Sequence, residues 1–168
     1  MDETLLHRYG RGPEILRSAI HGLSRNEMLA HPIAGTWSIQ QIVVHLLESD
    51  LIASHRMKRM IAEDNPALTA YDESRFAELL FYDAEPIDEV LTLFALNRAQ
   101  TLRILRRLPA AAFRRIGTHN QRGEVALEEM VSVYVDHLDH HLKFVYRKRA
   151  LLKNPAPGHA DAAIEKPD

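Results

Sequence analysis

The chain has 168 residues, of which 46% are hydrophobic and 26% are charged, and its formal net charge is −2 with histidine neutral. This length and composition fit one soluble globular domain with a substantial core, and the near-neutral charge gives no sign of a nucleic-acid-binding surface. The absence of cysteine excludes disulfides, cysteine-ligated zinc and a thiolate nucleophile supplied by the protein.

The first residues, MDETLLHR, carry early acids and lack the apolar segment of a secretory signal. No apolar run approaches the roughly 18 to 20 residues of a membrane span. We therefore expect a cytoplasmic protein that does not associate with a membrane.

Apolar residues at helical spacing predict a first helix over residues 5–23. Gly10, Gly12 and Pro13 lie inside it, and they predict a kink or a division into two parts. A serine followed three residues later by a glutamate is a capping-box pattern, which predicts a short helical turn over residues 24–29.

Three further long helices are predicted. Ser38 and Gln41 form a second capping-box pattern at the start of a helix that runs to residue 62. Pro86 suits the start of a third helix over residues 87–108, since proline fits the first turn. The fourth helix is predicted over residues 124–151.

The remaining segments are predicted as connections and a tail. Residues 64–85 contain a short helix at 73–80, residues 110–123 form the last connection, and residues 153–168 form a disordered tail. We find no convincing strand pattern. The prediction is an all-α four-helix bundle over residues 1–152, with connections long enough to cross the bundle.

Histidine is the unusual residue, with 10 copies in the chain. His137 and His141 are four residues apart and therefore share one face of the fourth helix, among its apolar residues. His45 lies beside Ile42 and Leu46 on the second helix. Each of these histidines is either a metal ligand or a core residue with a satisfied hydrogen bond. Together they form a three-histidine set that suits zinc, nickel, iron or manganese.

Two segments carry a resemblance to a known family. GTWSIQQIVVHL at residues 35–46 and DHLDHHL at residues 136–142 resemble the two signatures of the DinB-like metalloprotein superfamily, and the similarity extends over residues 3–150. The resemblance implies a four-helix bundle with a long crossover, a divalent metal ion held by His45, His137 and His141, and a homodimer. Characterised members include metal-dependent transferases and isomerases that use low-molecular-weight thiols.

Three functions compete. The first is a metal-dependent transferase that joins an external low-molecular-weight thiol to a small electrophile, with the thiol bound as its thiolate. The second is a metal-dependent hydrolase with bound water as nucleophile and Glu48, one helical turn after His45, as general base. The third is a non-catalytic metal-binding or sensing module, in which a fourth protein ligand closes the site.

The roles of the remaining candidates stay open. Arg98 either binds an anionic group of the substrate or forms an ion pair inside the protein. Asp136 and Asp139 either accept hydrogen bonds from ligand imidazoles or are exposed acids. The segment 71–73 either lines the mouth of the site or forms a capped junction before a helix. The expected partner is a small molecule, and no basic stripe suggests nucleic acid.

Overall fold

A computed structural model of the protein describes residues 2–159. Within this range it has six α-helices, four of them long, and three short strands. The helices are α1 (Glu3–Ile20), α2 (Arg25–Leu29), α3 (Ile39–Ala62), α4 (Glu73–Leu79), α5 (Ile87–Leu105) and α6 (Leu127–Leu151), and the strands are β1 (Ala67–Leu68), β2 (Ile116–His119) and β3 (Gly123–Ala126). Two single-turn 3₁₀ helices occupy Tyr82–Ala84 and Ala110–Arg114.

The four long helices α1, α3, α5 and α6 make a four-helix bundle, as predicted. Helices α1 and α3 each pack against both α5 and α6, so the order around the bundle is α1, α5, α3, α6. Two connections, α1 to α3 and α5 to α6, therefore join helices that are diagonally opposite. The long connections do cross the bundle.

The capping patterns read from the sequence are present. The Ser38 side chain accepts the Gln41 backbone N–H, and the Gln41 side chain accepts the Ser38 backbone N–H. Ser24 and Glu27 cap α2 in the same reciprocal way. Each box satisfies amide groups that the first turn of a helix leaves without partners, and it fixes where α3 begins relative to its histidine.

A small sheet corrects two predictions. Strand β1 pairs with β2 in parallel and β2 pairs with β3 in antiparallel register, with Ala67 opposite Thr118 and Ile116 opposite Ala126. Residues 123–126 are thus a strand, and the fourth helix begins at Leu127 instead of residue 124. Strands of two to four residues are too short for a period-two pattern to stand out in the sequence.

Helix α1 is continuous from Glu3 to Ile20, so the predicted division into two parts is wrong. Pro13 has no N–H, and the carbonyl of Tyr9, four residues earlier, loses its helical donor. Arg98 of α5 replaces that donor, with Nη1 3.2 Å from the Tyr9 carbonyl oxygen. Gly12 has no side chain to obstruct the guanidinium, whose Nη1 would collide with a Cβ there.

The end of the third helix and the first residues of the tail differ from the prediction. Helix α5 ends at Leu105, and residues 106–108 form tighter turns before Pro109. Residues 153–159 pack on the bundle: Ala156 is buried, and the ring of His159 stacks on Tyr146 with centroids 3.7 Å apart. The remainder of the predicted disordered tail, residues 160–168, lies outside the described residues.

Across residues 2–159, none of the helices combines the length and the apolar character that a bilayer crossing requires.

Candidate metal centre

Three imidazoles converge between α3 and α6. Nε2 of His137 lies 3.2 Å from Nε2 of His45 and 3.1 Å from Nε2 of His141. Nitrogens that share one tetrahedral zinc ion lie about 3.4 Å apart, given zinc–nitrogen distances near 2.1 Å. The three side chains therefore already have nearly the spacing that a shared cation imposes.

The bundle sets this geometry through two helices. His137 and His141 stand one turn apart on α6, with His141 facing the start of α3. His45 lies two turns into α3 and is completely buried. Trp37, immediately before the capped start of α3, places its ring 4.8 Å from the His45 ring and stacks on His141 at 6.4 Å. The indole thus forms a wall of the site.

The protonation state of the three histidines also favours metal binding. Burial, with a smaller contribution from the neighbouring histidines, lowers the pKa of His45, of His137 and of His141 to about 3 in each case. All three imidazoles are therefore neutral near pH 7, which is the state that coordinates a cation. Three neutral donors leave the charge of a divalent ion uncompensated.

One carboxylate approaches the cluster. Oε2 of Glu73, in the first turn of α4, lies 3.8 Å from Nε2 of His45. It is the only carboxylate within 4.0 Å of these histidines in the part of the chain that the structure describes. Its side chain is 60% exposed, so it stands where solvent meets the site.

A cavity of about 180 Å³ opens beside His137 and Glu73. Arg56 and Tyr134 form its inner wall, and the end of the β2–β3 hairpin contributes His119 and Arg122. We call this space the hairpin cavity. It gives a small molecule a polar route to the histidines.

A second cavity of about 370 Å³ lies beside His141. Its walls are mostly apolar and include Trp37, Ile42 and Phe144. We call this space the indole cavity. The hairpin cavity thus borders His137, and the indole cavity borders His141.

The other predicted site residues lie apart from the cluster. Glu48 is on α3, but its carboxylate makes no ion pair with the three histidines within the described range, and burial together with the charge of Glu85 raises its pKa. Arg98 is 2.9 Å from Asp50, which is the ion-pair alternative. Asp136 and Asp139 are exposed acids that pair with Arg8 on the surface.

Residues 71–73 both form a capped junction before α4 and line the mouth of the site, the two alternatives that the sequence left open. Asp72 accepts the Arg75 backbone N–H and caps α4, while Tyr71 and Glu73 line the hairpin cavity. The capped junction is therefore what aims Glu73 at His45.

Sequence reasoning missed several residues of the site. The sequence patterns give no site role to Trp37 or to Arg56. His119 lies in the predicted connection 110–123, yet it is buried at the end of β2. No spacing signal identifies these residues, because each joins the site through tertiary contacts.

Comparison with known proteins agrees with this geometry. A model of the DinB superfamily matches residues 8–145. A protein of Oceanobacillus iheyensis is 29% identical over 133 residues, covering 79% of this chain and 77% of its own, and one of Halalkalibacterium halodurans is 27% identical over 141 residues, covering 84% and 81%. Both carry the name "Putative metal-dependent hydrolase".

A solved structure has the same fold. YfiT from Bacillus subtilis, described as having an unusual four-helix bundle topology, superposes with a TM-score of 0.85 at 23% identity, over 90% of this chain and 87% of that one. The matched segment of the family model includes His45, His137 and His141. With its bundle topology and its cluster of three histidines suited to a divalent metal ion, this chain belongs to the DinB superfamily.

Proposed function

We propose that this protein is a metal-dependent hydrolase. His45, His137 and His141 hold one divalent ion, with zinc, nickel, iron and manganese as the candidates. When bound, the ion would act as a Lewis acid and would lower the pKa of a water molecule that it binds. The supporting observation is the position of Glu73, whose Oε2 is 3.8 Å from Nε2 of His45 at the edge of an open cavity.

In this proposal Glu73 is the general base. Its Oε2 takes a proton from the attacking water and returns it to the leaving group. The three histidines stay neutral and hold their orientation, and Trp37 keeps bulk water from the His45 and His141 side. Glu73 takes the role that the sequence suggested for Glu48, since Glu73 is the carboxylate in contact with the cluster.

The test compares two carboxylate variants, Glu73→Gln and Glu48→Gln. Protein loaded in turn with zinc, manganese, nickel or iron(II) is assayed on nitrophenyl esters, amides and phosphates. Loss of a general base lowers turnover by about 10²- to 10⁴-fold. We expect that loss in Glu73→Gln with metal content unchanged, and little change in Glu48→Gln.

The opposite results assign other roles. If Glu48→Gln abolishes turnover and Glu73→Gln does not, Glu48 is the base. If Glu73→Gln loses its metal, the glutamate is a fourth ligand that closes the site, and the non-catalytic binding or sensing function is favoured. Wild-type protein that holds metal and turns over none of these substrates contradicts the hydrolase proposal.

A second candidate is a metal-dependent transferase that uses an external low-molecular-weight thiol. One observation favours it: separate cavities border His141 and His137, so that two reactants can reach the histidines by different routes. The same loaded protein, assayed with a thiol and a small electrophile, tests it by formation of the thioether. The small-molecule partner, the homodimer and the cytoplasmic location remain predictions.

A further inference from the structure

The hairpin cavity contains a buried cation without an anionic partner. Arg56 of α3 is only 8% exposed. Its Nη1 donates to the Tyr134 hydroxyl at 3.1 Å and its Nη2 donates to the Thr69 carbonyl. Both acceptors are neutral, and no carboxylate within residues 2–159 lies within 4.0 Å of this guanidinium. Burying a charge is costly unless an opposite charge or several hydrogen bonds compensate it.

The surroundings of Arg56 add to its positive field. Arg122, from the β2–β3 turn, lines the same cavity and is exposed. Burial, followed by the charges of Arg56 and Arg122, lowers the pKa of His119. Glu73 is the one acidic residue lining the cavity, so two arginines face a single carboxylate there.

Further polar groups of the cavity wall are available to a ligand. The Tyr71 hydroxyl is buried and has no hydrogen-bond partner among the described residues. Nδ1 of His119 accepts the Gln121 backbone N–H at 3.2 Å, which leaves the ring proton on Nε2 as a donor. A hydroxyl, an imidazole N–H and a guanidinium together match the acceptor oxygens of a small anion.

From this arrangement we propose that the hairpin cavity binds a carboxylate or phosphate group of the substrate, with Arg56 as its main partner and Arg122 as a second one. This inference rests on the proposed function, because it places the anionic group beside the reaction centre. A volume of about 180 Å³ is smaller than the roughly 300 to 1,000 Å³ of sites that enclose a whole ligand. The cavity therefore holds only the anionic head group of the substrate. The scissile bond lies between that head group and the three histidines.

The experiment measures anion binding separately from turnover. Inorganic phosphate, acetate and the neutral acetamide are titrated into the full-length protein, both metal-loaded and chelator-treated, by calorimetry and by NMR of the arginine side chains. We expect saturable binding of one or both anions without metal, and no binding of acetamide. The phosphate and acetate arms distinguish the two sources of the anionic group.

Variants locate the binding group. Arg56→Gln should weaken anion binding by roughly tenfold or more, since hydrogen bonds to charged groups are strong. Arg103→Gln, which removes an exposed arginine on α5, is the charge-matched control and should bind like the wild type. Arg56→Lys keeps the charge and should lose less than Arg56→Gln.

Two results would overturn the inference: no saturable binding of either anion to the wild type, or equal affinity in Arg56→Gln and Arg103→Gln. If Arg56→Gln does not fold, as judged by circular dichroism, the exposed Arg122→Gln replaces it and should weaken binding by a few-fold, with an unchanged affinity counting against the inference. Anion binding that depends on Arg56 in a protein without hydrolase activity would reject the proposed function and keep the anion site.

Discussion

Two polar clusters lie inside this bundle, and they differ in how their groups are satisfied. In the first, the Arg98 guanidinium of α5 reaches the three other long helices: it contacts Asp50 at 2.9 Å on α3, the Tyr9 carbonyl at 3.2 Å on α1 and the Tyr134 carbonyl at 2.8 Å on α6. Asn97 completes the cluster by donating to Asp50 at 2.8 Å. The two charged groups, Arg98 and Asp50, are therefore paired with each other.

The second cluster is the histidine site. Its three Nε2 atoms point toward one another and not toward hydrogen-bonding groups of other residue types. Three neutral imidazoles present Nε2 atoms to each other, while Nδ1 of His45 and of His141 has no hydrogen-bond partner in the described chain. His45 is as completely buried as Arg98 and Asp50, so burial alone does not separate structure from function. The difference in partners does: the Arg98 cluster holds the helices together, and the histidine site is ready for a ligand.

The largest expected effect comes from breaking the ion pair between Arg98 and Asp50. Arg98→Ala leaves the buried Asp50 carboxylate without its ion pair, and loss of one partner of a buried pair costs about 3–5 kcal/mol. The free energy of unfolding, measured in urea, should fall by that amount. The exposed Arg103→Ala on the same helix should change it by less than about 0.5 kcal/mol. Equal effects would contradict the assigned role of Arg98.

Acid should destabilise the protein through the three histidines of the metal site. In unfolded chains histidine has a pKa of about 6.5, whereas His45, His137 and His141 have pKa values lowered to about 3 in the fold. The unfolded state therefore binds more protons below pH 6.5, and stability falls as the pH falls. Between pH 7 and 5.5 the loss in chelator-treated protein is about 1 kcal/mol per imidazole.

Urea midpoints at the two pH values measure this loss in chelator-treated protein. His137→Gln should reduce the pH-dependent part by about a third, because one of three such imidazoles is removed. A stability that is flat from pH 7 to 5.5 would show that the buried histidines do not carry depressed pKa values.

Two glycines in α1 test how closely the Arg98 guanidinium packs against this helix. A Cβ at Gly12 would collide with Nη1 of Arg98 and approach Leu138 Cδ2 to 2.9 Å, whereas a Cβ at Gly10 would meet only Leu102 Cδ2, at 2.7 Å, the end of a flexible side chain. Gly→Ala inside a helix ordinarily stabilises by about 0.5–1 kcal/mol. Gly12→Ala should instead destabilise by about 1–3 kcal/mol.

Gly10→Ala is the matched control and should be close to neutral, since the helical gain offsets a small shift of Leu102. Thermal unfolding of the two variants makes the comparison. If both substitutions stabilise the protein equally, Arg98 does not lie against α1 as described.

The histidine set could be predicted because a helix converts sequence spacing into geometry. His137 and His141 must share a face when they are four residues apart on a helix, and the apolar residues around them indicate that the face is buried. His45 followed from its place on the apolar side of another helix. The bundle itself follows from the same periodicity and from the capping residues.

The rest of the site could not be predicted because it depends on contacts between distant segments. Glu73 reaches His45, 28 positions earlier in the chain, from the first turn of the helix that Asp72 caps. Arg98 and Asp50 are 48 positions apart, and their pairing leaves no local signal. The strands of the hairpin that brings His119 and Arg122 to the cavity are four residues long at most, too short to be recognised by alternation.

The central claim is that three imidazoles share one cation, and elemental analysis of protein purified without chelator tests it most directly. Wild type should carry about one divalent ion per chain, and His137→Ala should lose most of it, because a three-histidine site needs every donor. His140→Ala is the matched control, since His140 is exposed and its ring contacts His141 only by its edge; it should keep the metal. Unchanged metal content in His137→Ala would contradict the account.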